Sequence, residues 1–258
     1  MQLIEHLDEK TYFRTHQIVA YVQAEFGICY TVAGMNKWLR HHGFSYKKPK
    51  GVPHKFNPEM QQAFIEHYNE TLKSSEDSVL FMDAVHPTQS TKLSYGWIRK
   101  GQDKVIEKTG NRTRLNIIGA LPLQDIGATV TGSYDTINSE SIVRFFWKLK
   151  KEHYPLEQNV HLVLDGAAYH QSELVKKAAK VLNVELHYLP PYSPNLNPIE
   201  RLWKVMNEHV RNNMYFPSKL EFTSAIKEFF DVTLPNVAGT LVSRITDNFQ
   251  VLKPASSS

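Results

Sequence analysis

The chain has 258 residues, 41% of them apolar, enough to bury a full core and to leave a small accessory domain beside a larger one. A formal charge of +4 with twelve histidines suits a polyanionic partner without singling one out, and one cysteine, Cys29, excludes an internal disulfide or a thiolate zinc cluster. No run approaches eighteen apolar residues, and the acidic start MQLIEHLDEK is unlike a secretory signal, so a bacterial cytoplasmic, nucleoid-associated protein is expected.

In chain order, THQIVAYVQAEF (15–26) places Ile18, Val19, Val22 and Phe26 on one helical face, with Gly27 as the stop. A second helix is expected in TVAGMNKWLRHHGF: Thr31 caps it, Val32, Met35, Trp38 and Leu39 form the apolar stripe, and Gly43 ends it. Two helices joined by the short GICY connection read as a helix-turn-helix. Asn36, Lys37, Arg40 and His41 lie off the stripe, where they are candidates for a DNA groove. The following FSYKKPKGVPHKF reads as a basic wing or linker, with Lys47, Lys48 and Lys50 meeting phosphate rather than bases. This first, winged-helix-like all-α domain is expected to span residues 1–56, and Cys29 is read as a small buried apolar residue.

Residues 57–77 are expected to form a linker helix, residues 78–235 an α/β catalytic domain, and residues 236–258 a C-terminal helix with a disordered PASSS tail. Five strands are expected in VLFMDAV, LNIIGALPL, ATVTGSY, HLVLDGA and VELHYLP. Amphipathic helices fall in SESIVRFFWKLKKEHY and SELVKKAAKVL, and a third starts at Pro198 with Asn197 as its N-cap. Three strands followed by helix, strand, helix, strand and helix is the order of a ribonuclease-H-like fold, a mixed sheet flanked by helices.

Asp83 and Asp165 occupy matching places, each closing an apolar strand at the rim of the core. On adjacent strands their charges would repel strongly unless a hard cation lay between them. Glu200, in the first turn of the helix after the proline-rich LPPYSPNLNP, supplies a third oxygen if that helix packs on the strand ends. Three carboxylates from separate elements suit Mg²⁺ or Mn²⁺, and two such ions would stabilise both the attacking and the leaving oxygen of a phosphodiester displacement. Blander roles fit the same residues: turn capping for the aspartates, and a capping box for Asn197 and Glu200 that is compatible with metal ligation. His86 and His170 lie three and five residues beyond the aspartates, where they contact substrate or make structural hydrogen bonds. Trp97, Arg99 and Lys100, Arg112 and Arg114, and Arg201 and Lys204 are further candidates for DNA contact, the alternative for each being a solvated charged face.

These pieces resemble the DDE transposases of the Tc/mariner superfamily, specifically their bacterial insertion sequence 630 group. The likeness rests on FMDAVHPT, YGWIRKGQ at 95–102, VLDGAAYH and LPPYSPNLNPIERLWK, the last combined with 34 residues between Asp165 and Glu200, and it extends over about residues 78 to 230. It implies that Asp83, Asp165 and Glu200 are a metal-binding catalytic triad. It also implies cutting at transposon ends, joining of the freed 3′-hydroxyl to target DNA, usually at TA, and a homodimer on double-stranded DNA. Members of this group usually carry two N-terminal helix-turn-helix units, whereas this chain has length for one, so a second is expected to be encoded upstream, joined by frameshifting, or lost. Two other classes compete: a structure-selective nuclease of the ribonuclease H or junction-resolving type, and a non-catalytic DNA-binding protein descended from a transposase.

Overall fold

The computed structural model describes residues 2–49, 51, 55–110 and 113–252, which fall into two compact units divided at residues 52 and 53. The first unit holds three helices, α1 (Gln2–Glu9), α2 (Thr15–Phe26) and α3 (Val32–His41). Gly27 closes α2 in the left-handed region at φ 67°, and the Thr31 hydroxyl caps α3 by accepting the Gly34 amide. Ile18, Val22 and Met35 form the buried centre, with Trp38, Leu39, Phe26 and Val19 packed around it. Helix α1 was not anticipated, although its Leu3 and Leu7 join this cluster. Two expectations are corrected: Val32 lies exposed at the start of its helix, and Cys29 is exposed rather than buried. Cys29 lies within the connection between α2 and α3, where its neighbour Tyr30 is the residue that packs on the core, and Val32 opens α3 directly after it.

The second unit opens with α4 (Pro58–His67), capped by Asn57 and continued by a π turn at Tyr68–Leu72. Residues 57–77 are therefore no mere linker, because Phe64, Tyr68 and Leu72 are buried in the main core. Five strands follow: β1 (Ser78–Val85), β2 (Asn116–Pro122), β3 (Val130–Tyr134), β4 (Val160–Leu164) and β5 (Val184–Tyr188). Their order is β3-β2-β1-β4-β5, with β1, β2 and β3 antiparallel and β1, β4 and β5 parallel. Because β1 and β4 are central, both their faces are covered and their sequences run apolar without alternation.

The period of two along each strand splits the core into two layers. Leu80, Met82, Leu162 and Leu164 pack beneath α5 (Ser139–Glu152) and α6 (Glu173–Val181), where Phe145, Phe146, Leu149 and Val175 are buried. Val79, Phe81 and Val163 face the opposite layer, built from α4, α7 (Ile199–Met206), α8 (Lys219–Glu228) and α9 (Leu234–Leu241). Helix α7 buries Ile199, Leu202, Trp203, Val205 and Met206, a stripe that ties its first turn to this face. Among the described residues, no helix is long and apolar enough to cross a membrane.

Candidate active site

Asp83 lies on β1 opposite Gly119 of β2, while Asp165 immediately follows β4, the strand paired in parallel on the other side of β1. Adjacent central strands thus carry both aspartates toward one rim. Glu200 joins them from the first turn of α7, and the three carboxylates line one open cleft of about 920 Å³ with Gln171, Tyr192 and Pro191.

Asp83 is held by a contact that the sequence does not announce. The Trp203 indole Nε1–H donates to its Oδ2 at 2.9 Å, and the indole occupies the space next to Gly119 that a side chain there would need. A Cβ on Gly119 would sit 2.5 Å from Trp203 Cη2 and 3.2 Å from Ile199 Cδ1, so glycine is required there for close approach rather than for backbone freedom. Gly119→Ala is expected to force Trp203 aside, lower the melting temperature by several degrees and weaken the hold on Asp83. Adding Trp203→Phe should recover most of the stability, because the smaller ring leaves room for the methyl group; thermal melts of the single and double variants check this.

Burial raises the Asp83 carboxyl from 3.8 to about 7, and the negative charges of Glu200 and Asp165 act in the same direction against the opposing Trp203 hydrogen bond. Burial also raises Glu200, partly offset by Lys204 and reinforced by Asp165. Asp165 moves the other way: its Oδ1 lies 2.6 Å from His170 Nδ1 and accepts the Ala167 amide at 3.1 Å, and the His170 contact is the chief cause of a lowered value. Asp83 thus feels the charge of both other acids and Glu200 that of Asp165, and the Asp83 carboxyl is poised to be protonated near neutral pH unless a cation replaces the proton. Hard oxygen donors with this electrostatic deficit fit a divalent metal of the Mg²⁺ or Mn²⁺ type.

The proline-rich approach to α7 is fixed from several sides. Ser193 Oγ accepts from the buried Gln61 side chain at 2.8 Å, and Tyr192 adopts φ 57°, leaving its ring exposed on the cleft. The capping box expected at Asn197 and Glu200 is not formed. Asn197 instead turns its Nδ2 onto the Met82 carbonyl at 3.1 Å, stitching the start of α7 to β1 beside Asp83, and Pro198 occupies the cap position. Sequence spacing cannot distinguish these two uses of an asparagine, because both need it one turn before the glutamate.

The remaining candidates fare unevenly. His170 is almost fully buried behind Asp165, so it positions that carboxylate and is closed to DNA; its Nε2 lacks a hydrogen-bond partner among the described residues. His86 is taken up by Asn116, whose Oδ1 lies 2.9 Å from its Nδ1. Arg201 turns inward and donates to the Thr246 carbonyl, whereas Lys204 remains exposed. Trp97, Arg99 and Lys100 are exposed on an irregular segment, residues 93–99 running without ladder partners. Arg114 is exposed at an isolated bridge to Thr88. In the first unit, Lys37, Arg40, His41, Lys47 and Lys48 are exposed, and Asn36 is engaged by the Thr15 hydroxyl at 2.7 Å, which ties α3 to α2. Arg112, Lys50 and the PASSS tail lie outside the described residues. Trp203 and Gly119 were missed; the one available signal was the three-residue step from Glu200 to Trp203, which puts both on one face of α7.

A mixed five-stranded sheet carrying three acids at one cleft, in a chain that also has a small helical unit, defines a ribonuclease-H-like fold with an acidic site. A model of DDE superfamily endonucleases matches residues 78–223, more than half of the chain, and the chain belongs to that superfamily. A winged helix-turn-helix model matches residues 9–68. The chain is 25% identical over 220 residues to the insertion element IS630 39 kDa protein of Shigella sonnei, covering 82% of this chain and 62% of that protein, so it spans about three-fifths of that relative's length. Among solved structures, the mariner Mos1 paired-end complex with Mg is similar at a TM-score of 0.67 and 17% identity, over 96% of this chain and 79% of that one. The Mos1 strand transfer complex is similar at 0.65, again with 17% identity, over 96% and 78%. At such identity the likeness is one of fold.

Proposed function

We propose that this protein is a DNA transposase that cleaves at transposon ends and transfers the 3′-hydroxyl into target DNA, with TA as the favoured target, in the bacterial cytoplasm. The observation that carries the reading is the convergence of Asp83, Asp165 and Glu200 on one cleft from two adjacent strands and a helix. Membership of the DDE superfamily and the similarity to an insertion-element protein support it, as do the Mn- and Mg-containing Mos1 complexes with transposon ends.

In this reading residues 1–56 engage DNA and residues 78–235 carry the chemistry, with α4 and its π turn packed into the same core. Asp83, Asp165 and Glu200 hold Mg²⁺ or Mn²⁺, two ions per site. Those ions supply activation of the attacking oxygen and stabilisation of the leaving one. Trp203 fixes one oxygen of Asp83, leaving the other for ligation, and His170 keeps the Asp165 carboxylate ionised and oriented. The exposed Lys204 faces the charge of Glu200 and is placed to meet phosphate beside it. Lys37, Arg40, His41, Lys47 and Lys48 give the first unit a salt-sensitive grip on the inverted repeats, and pairing of two ends calls for a homodimer on DNA.

The deciding experiment is incubation of a labelled duplex carrying the element's inverted repeat with the protein in Mg²⁺ and in EDTA. Metal-dependent nicking at the repeat boundary is the expected result. Cutting of branched or hybrid substrates irrespective of the repeat would replace the reading with a structure-selective nuclease, and binding without cutting would leave a DNA-binding protein.

A further inference from the structure

A second cluster of ligating groups lies away from the acidic cleft, on the outer pair of parallel strands. In the β4–β5 register His161 faces Glu185, and His187 follows two residues later on the same side of the sheet. His161 is four residues before Asp165 on β4, roughly 13 Å back along the strand, so this cluster is separate from the three acids.

The geometry is specific. His161 Nδ1 lies 3.0 Å from His187 Nε2 and 3.4 Å from Glu185 Oε2, and His187 Nε2 lies 3.6 Å from Glu185 Oε1. In a tetrahedral site with arms of about 2.0–2.1 Å, neighbouring ligand atoms stand roughly 3.3 Å apart, the spacing that these distances between the two nitrogens and the Glu185 carboxylate bracket. Both imidazoles aim one nitrogen at the shared point, and each has a partner for its other nitrogen. His161 Nε2 faces Asp77 Oδ2 at 3.5 Å and Asn159 Nδ2 at 3.3 Å; His187 Nδ1 faces His67 Nε2, from the end of α4, at 3.4 Å. A carboxylate behind a ligating histidine is the arrangement that orients imidazoles at zinc. Both histidine side chains are only 10% exposed, which fixes their rotamers, whereas Glu185 is 57% exposed on an edge strand and leaves a fourth position open to water.

We infer that His161, Glu185 and His187 form a binding site for a four-coordinate transition-metal ion of the Zn²⁺ class, with Asp77 and His67 orienting the two imidazoles. Two nitrogens and one carboxylate oxygen select such an ion over Mg²⁺, which demands six oxygen-rich ligands. The bound ion clamps β4 to the edge strand β5, the strand whose end leads into the proline-rich approach to Glu200.

The test uses the full chain without an oligohistidine tag, stripped of metal and carrying Asp83→Asn and Asp165→Asn so that the acidic cleft cannot compete. Titration with Zn²⁺ in a large excess of Mg²⁺ should give one ion per chain, and Co²⁺ should give the intense visible bands of four-coordination. Glu185→Gln, at an exposed position that leaves the fold intact, should weaken Zn²⁺ binding at least ~10-fold, and His187→Gln should remove both the stoichiometric binding and the Co²⁺ bands. Circular dichroism of the metal-free variants verifies folding. Absence of stoichiometric Zn²⁺ binding, or binding that both substitutions leave unchanged, overturns the site and reduces the cluster to a hydrogen-bonded imidazole pair.

Discussion

Asp165→Asn is expected to lower Mg²⁺-dependent cleavage of repeat-bearing DNA by at least ~10³-fold while leaving the melting temperature within a few degrees of wild type. The loss follows from removing a full charge where charge stabilisation provides most of the rate. Folding survives because the two interactions that Asp165 makes through Oδ1, with the Ala167 amide and with His170 Nδ1, need only an acceptor, which asparagine retains. The side chain is also 53% exposed, so little packing depends on it. Binding to the repeats, which the proposed function assigns to the first unit, should persist. Single-turnover cleavage, gel shift and thermal melts on the same preparation check all three statements; wild-type cleavage by the variant would remove Asp165 from the chemistry.

Asp83→Asn should separate activity from stability in the opposite sense: cleavage lost, and the metal-free protein made more stable at pH 8. The folded-state value of about 7 lies above the ordinary 3.8, so the metal-free fold prefers the protonated acid. That preference contributes fully below about pH 4 and is lost as pH rises through 7, leaving a buried negative charge beside Glu200 and Asp165 above it. The cost at pH 8 is about 2–4 kcal/mol, and asparagine removes it while its Oδ1 still accepts from Trp203. Metal-free wild type should therefore melt lower at pH 8 than at pH 6 by more than Asp83→Asn does, and the variant should melt at least ~4 °C higher at pH 8. Mg²⁺ should close the gap for wild type at pH 8 by taking the proton's place. Equal melting of the two metal-free proteins at pH 8 would show that the Asp83 charge is not destabilising.

Much of this architecture was legible because the central strands are covered on both faces, which leaves long apolar runs such as VLFM and HLVL that end in a charge. The helices over them were equally plain, since α5 and α6 carry clear apolar stripes and good caps. Helix α4 and the π turn after it read as a linker because their buried residues include Gln61 and Tyr68, polar or amphipathic types whose partners, Ser193 and Asp247, lie far along the chain. Helices α8 and α9 run together through a π turn at Phe229–Thr233 that shifts the register of their apolar face and blurs the 3.6-residue period. At the site, the acids were visible through their places at element ends, but the Gly119–Trp203–Asp83 stack was not. It joins residues on three elements by shape, and no spacing rule encodes the absence of a methyl group on a neighbouring strand.

Placing one acid on the innermost strand and a second directly after its neighbour has a consequence for how such a protein loses its function over time. β1 and β4 are among the last elements to open in any local fluctuation, so the Asp83–Asp165 pair keeps its spacing as long as the domain stays folded at all. Drift at the periphery can erode DNA binding or assembly and still leave the pair correctly set. A retired copy would thus remain a latent nuclease until one of the carboxylates itself was replaced, and the stability gained by replacing Asp83 would make that change easy to fix.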